Sequence, residues 1–139
     1  MAIAAGLFVW GRHYLTKVEE IDHQHEEIAC LLNELHAERK KGAPLEQQRA
    51  LYAALEKAVV DHFRTEESYM RRFRYEGFEL HRAEHNALVE RALALSKQLE
   101  TGDGAEVDAG LEYVKDWLRN HLLTSDRRMG RFLAEKLGL

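Results

Sequence analysis

Cys30 is the one cysteine of this chain, so no internal disulfide staples the fold, and the expected compartment is a reducing one. Helix breakers are scarce too, with a single proline, Pro44, and nine glycines among 139 residues. No apolar run is long enough to cross a bilayer. The most apolar stretch, from Met1 to Trp10, is far too short and carries no basic leader, which predicts a cytoplasmic protein with no membrane insertion. Nor is there an excess of positive charge: 20 Lys and Arg stand against 24 Asp and Glu, a net charge of −4 that argues against nucleic acid as a partner. No glycine-rich phosphate loop is present, and no Ser-His-Asp or Cys-His grouping stands apart from the candidate ligands described below.

What is present is apolar periodicity at three and four. With 45% hydrophobic residues it predicts one all-α domain with a core of useful size. Gly42-Ala-Pro44, Arg74-Tyr-Glu-Gly77 and Thr101-Gly-Asp-Gly104 punctuate four long helices at about 18–41, 45–73, 78–100 and 105–122. Short loops make successive helices antiparallel, an up-down-up-down four-helix bundle. Residues 1–16 are expected as an irregular arm and 127–137 as a short C-terminal helix. Thr16-x-x-Glu19 has the capping-box pattern for the first helix, and Asp103-x-x-Glu106 is expected to cap the fourth.

Histidines and carboxylates recur on the inward stripes of all four helices. His62 and Glu66 are four apart, as are His81 and His85, and four residues turn through about 400°, which puts each pair on one helix face. His25 shares a stripe with Ile21, Ile28 and Leu32, whereas His23 is offset by about 200° and points outward. His36 shares the face of His25 but lies about 16 Å along the axis, too far to join the same centre. His121 and Asp126 are five apart, about 140° of rotation, so both can face one point only if the helix ends, tightens or bulges between Leu122 and Asp126.

One such histidine would be an ordinary core residue. Five imidazoles and two carboxylates buried at one level would be prohibitively costly without a cation. Seven donors exceed the needs of one tetrahedral zinc, while two ions bridged by two carboxylates use them all. The donor set suits iron, with manganese and zinc compatible by ligand type.

Trp10, Ile21-Asp22-x-Gln24-His25, His62-Phe63-x-x-Glu66-Glu67, His81-x-x-x-His85 and Trp117-x-x-x-His121-x-x-x-x-Asp126 together resemble the hemerythrin family, in particular its bacterial members. The resemblance runs from about Trp10 to Met129 and fills every family ligand position. It implies a non-haem di-iron centre that binds dioxygen reversibly for storage, transport or delivery. In that pattern His81, His85 and His121 complete one iron and His25 and His62 the other. Glu66 and Asp126 bridge them together with an oxo or hydroxo group, and the iron with two histidines keeps the vacant position. Ile28, Trp117, Leu118 and Leu122 match positions that line the dioxygen pocket, and ordinary core packing would place them inward as well. The rival readings are an oxygen or redox sensor acting through a separate signalling partner, and an enzyme that handles peroxide or nitric oxide. Oxygen-activating di-iron bundles typically combine four carboxylates with two Glu-x-x-His motifs. The one match here, Glu20 to His23, has its histidine outside, which favours a carrier over an enzyme.

Asp22 and Gln24 are candidates to orient neighbouring groups, and Glu67, about 100° from Glu66, is expected to be a surface charge. Arg71, Arg72 and Arg74, like Arg127, Arg128 and Arg131, are read as solvated faces, with docking of an acidic partner as the sharper alternative. The expected oligomeric state is a monomer, with an oxygen-consuming enzyme or a signalling protein as the candidate protein partner.

Overall fold

The computed structural model describes residues 7–101 and 104–139. After a short 3-10 turn at Arg12–Tyr14, the chain forms α1 (Glu19–Lys40), α2 (Leu45–Arg72), α3 (Phe78–Thr101), α4 (Gly104–Leu123) and α5 (Ser125–Leu137). The first four make an antiparallel bundle in which each packs on the next and α4 closes back on α1. No strand occurs among the described residues.

Each long helix buries the stripe that its periodicity marks. Ile28, Leu32 and Leu35 of α1 meet Leu55 and Val59 of α2, Leu88 and Leu95 of α3, and Leu111, Val114 and Leu118 of α4 in one apolar cluster. A second, smaller cluster of Val18, Ile21, Met70, Met129 and Leu133 sits at the other end of the bundle. Between the two lies the polar level. His25 falls between Ile21 and Ile28 on α1, and His62 and Glu66 fall between Val59 and Met70 on α2. Dry packing on both sides therefore seals the polar groups from water.

The break expected after Leu122 is real. Thr124, with φ −118° and ψ −81°, separates α4 from α5, and the new helix begins at Ser125, slightly earlier than expected. The redirection brings Asp126 back over the level of His121. It also carries α5 so close to the N-terminal segment that a Cβ on Gly130 would stand 2.8 Å from Cβ of Thr16, a distance that only glycine accommodates.

The start of α1 differs from expectation. The capping box does not form: Val18 occupies the cap position without a side-chain hydrogen bond. Lys17 turns the chain with φ 75°, which moves Thr16 off the helix axis. The Asp22 carboxylate instead accepts hydrogen bonds from Thr16 N at 2.7 Å, Thr16 Oγ1 at 2.8 Å and Lys17 N at 3.1 Å. The described part of the arm is also docked rather than loose. Phe8 and Tyr14 are buried, and Phe8 exchanges backbone hydrogen bonds with the Asn33 amide at 2.7 and 2.8 Å. Phe8 and Tyr14 meet with ring centroids 5.3 Å apart, and Trp10 packs against both, tilted, at 6.5 and 5.4 Å. Burying two rings and half-burying a third offsets the entropy of ordering an irregular segment. The proposed Asp103 cap lies outside the described residues.

Candidate metal centre

Five helices contribute seven side chains to one buried level: His25 from α1, His62 and Glu66 from α2, His81 and His85 from α3, His121 from α4, and Asp126 from α5. All are 4% exposed or less. Glu66 divides its two oxygens between two groups of rings. Its Oε2 lies 3.1 Å from Nε2 of His25 and 2.9 Å from that of His62. Its Oε1 lies 3.1 Å from Nε2 of His81 and 3.0 Å from that of His85. Asp126 repeats the division, with Oδ2 3.3 Å from His25 and Oδ1 3.0 and 3.2 Å from His81 and His121. Donor atoms of Glu66, His81, His85, His121 and Asp126 form one group within 4.8 Å, and those of His25, His62 and Glu66 form another.

The spacing suits cations better than hydrogen bonds. Nε2 of His85 and both oxygens of Asp126 are buried and make no hydrogen bond although imidazole and carboxylate atoms stand close to them. Two donors about 2.1 Å from a shared ion and at right angles to each other are about 3.0 Å apart, the separation found throughout this cluster. The residues fit a pair of metal ions held by nitrogen and oxygen. Cys30, half-buried and unpaired, is not among them.

A second ring of side chains orients the imidazoles. Nδ1 of His62 donates to the amide oxygen of Gln24 at 2.8 Å, and Gln24 is steadied in turn by Thr65 Oγ1 at 3.1 Å. Nδ1 of His121 donates to Glu84 at 2.9 Å, whose oxygens also accept from Ser125 Oγ at 2.7 and 2.9 Å. Nδ1 of His85 donates to Glu67 at 3.1 Å, which corrects the reading of Glu67 as a surface charge: its stem spans the gap from α2 to α3. Sequence reasoning missed Glu84. The available signal was a carboxylate three residues after His81, on nearly the same face. Phe63 stacks on His85 and Trp117 on His121, with centroids 3.8 and 4.4 Å apart. Ile28, Leu118 and Leu122 are buried in the apolar cluster beside these rings, and Trp117 is half-buried against it. His13 and His23 are exposed, and neither they nor half-buried His36 belongs to either donor group.

In the metal-free chain protons take the place of metal charge. Burial alone would lower the pKa of His25 and His81, but the adjacent Asp126 and Glu66 carboxylates win and push them up to about 10 and about 9. The same contest raises His121, whereas at His62 burial prevails and lowers it. Against their own burial, the surrounding imidazoles hold both carboxyls well below the usual range. A histidine raised above its ordinary 6.5 stabilises the metal-free fold fully below that pH. The contribution is lost as pH climbs through about 9 and about 10. Metal binds the unprotonated rings, so loading at pH 7 should release at least the protons of His25 and His81, and affinity should weaken as pH is lowered. Calorimetric titration of metal into apo-protein in buffers of different ionisation heat reads this directly. Identical heats in all buffers would contradict it.

The comparisons with known proteins agree with this geometry. The family described as the Hemerythrin HHE cation binding domain matches residues 16–133. The chain is 33% identical over 129 residues to a bacteriohemerythrin of Methylococcus capsulatus, covering 92% of this chain and 98% of the relative. It is 26% identical over 119 residues to a myohemerythrin of Sipunculus nudus, covering 86% and 88%. A crystal structure of a hemerythrin point mutant superposes with a TM-score of 0.84 at 30% identity, covering 94% of this chain and 99% of that one. On the family match and this near end-to-end similarity, the chain belongs to the hemerythrin family.

Proposed function

We propose that this protein binds dioxygen reversibly at two non-haem iron ions, as a carrier or store rather than an enzyme. His81, His85 and His121 would hold one ion, His25 and His62 the other, and Glu66 and Asp126 would bridge them together with an oxo or hydroxo group. The observation that carries the reading is the division of both carboxylates. Each turns one oxygen to the three-histidine group and the other to the two-histidine group. When bound, two ferrous ions supply the pair of electrons that dioxygen takes up and returns on release.

The protein's own part is to keep that exchange reversible. The three-histidine side offers five donor atoms, namely three Nε2, Glu66 Oε1 and Asp126 Oδ1. The other offers a group of three, namely Nε2 of His25 and of His62 and Glu66 Oε2, with Asp126 Oδ2 3.3 Å from His25 as a fourth. The two-histidine side is therefore the one with room for a gas molecule. Ile28, Leu118 and Leu122, with the Trp117 ring beside them, supply an apolar wall that excludes water and proton donors. Five neutral imidazoles leave the pair short of the anionic donors that oxygen-activating bundles use. The free thiol of Cys30 suits a reducing compartment, and the cytoplasm is the location this reading assigns.

Oxygen uptake by anaerobically reduced, iron-loaded protein tests the proposal. Uptake should stop at one molecule per iron pair, with a new visible band that disappears under vacuum and returns with air over repeated cycles. Continuous consumption of oxygen or of added peroxide would replace the carrier with an enzyme.

A further inference from the structure

The second ring grips the imidazoles unevenly. On the three-histidine side two carboxylates take Nδ1 protons, Glu67 from His85 at 3.1 Å and Glu84 from His121 at 2.9 Å. On the two-histidine side His62 is held by a neutral amide, Gln24, at 2.8 Å. Nδ1 of His25 is buried and makes no hydrogen bond among the described residues. Among the described residues, two outer carboxylates therefore accept from histidines on one side and none does on the other.

We propose that Glu67 and Glu84 are positioning residues that make the three-histidine side the tighter and more readily oxidised of the two metal sites. The inference rests on assigning both donor groups to metal ions and is independent of which gas they bind. A carboxylate that accepts the Nδ1 proton draws it away from the ring and makes Nε2 the stronger donor, an effect an uncharged amide lacks. The added negative charge also favours the ion of higher charge. Neither carboxylate is fully solvated, since Glu67 and Glu84 side chains are 19% and 32% exposed, and Ser125 keeps Glu84 in place. The stacked rings of Phe63 and Trp117 prevent His85 and His121 from turning out of these bonds. The same two histidines are thus clamped in position and made more basic.

Anaerobic titration of metal-free protein with cobalt(II) separates the two sites without redox chemistry. The parent should bind two equivalents in resolved steps. Glu67→Gln and Glu84→Gln keep an acceptor oxygen and remove the charge, so each should weaken the first step roughly 10-fold and leave the second unchanged. Gln24→Glu should do the converse and strengthen the second step. In iron-loaded protein the midpoint potential should rise in both glutamate variants. Circular dichroism of the metal-free variants checks that the fold survives, and Gln24→Glu supplies an answer should either glutamate variant misfold. Equal weakening of both steps, or affinities and potential indifferent to all three changes, would overturn the inference alone. A parent that takes up no cobalt would overturn the metal assignment with it.

Discussion

Glu66→Gln should leave the protein with less than one tightly held metal ion per chain where the parent is expected to hold two. The carboxylate is fully buried, and its two oxygens are divided between the two groups of histidines, so in the proposed centre its charge and both its contacts would serve both ions. The amide matches its shape but carries no charge and presents one acceptor oxygen. Loss of a group that merely orients a ligand typically costs 10- to 100-fold in metal affinity, and loss of a shared ligand should exceed about 100-fold at both sites. His62→Ala is the informative contrast. It removes a donor from the two-histidine side alone and should release one ion while the other stays. Metal analysis after desalting distinguishes the outcomes. Two retained ions in Glu66→Gln, or equal losses in the two variants, would show that the carboxylate is not shared.

Leu118→Ala is expected to shorten the life of the oxygenated form by an order of magnitude or more. Leu118 is buried in the main apolar cluster, three residues before His121 and four before Leu122. Truncation removes most of a side chain from the apolar wall, and water that enters the space brings the proton that turns reversible release into irreversible oxidation. The same change should cost about 2–5 kcal/mol of stability, so a control of equal structural cost is needed. Leu95→Ala supplies it, since Leu95 belongs to the same cluster but lies ten residues along α3 from His85. Decay of the oxygenated band, followed by absorbance, should be fast in Leu118→Ala and close to the parent in Leu95→Ala. Equal decay in all three would remove Leu118 from the pocket.

Much of the bundle was legible because it follows from periodicity. The pairs His62 with Glu66 and His81 with His85 fall on single faces by helix geometry. The spacing of His121 and Asp126 demanded the break that Thr124 provides. Less legible were the contacts made by long side chains across helix gaps. Rotation about α2 alone turns Glu67 outward, and only the packing of α3 beside it lets its stem reach His85. Glu84 was missed because its partners, His121 and Ser125, come together only once the chain has turned from α4 into α5. The docking of the arm is illegible in the sequence for a similar reason. Phe8, Trp10 and Tyr14 carry no helical period, and the buried amide of Asn33 that holds the Phe8 backbone reveals its role only in three dimensions.

Crystals of the iron-loaded protein, measured on both sides of the iron absorption edge, test the central claim most directly. The account predicts two anomalous peaks per chain, one among His81, His85 and His121 and one beside His25 and His62, with Glu66 and Asp126 reaching both. A single peak, or two peaks that share neither carboxylate, would contradict it.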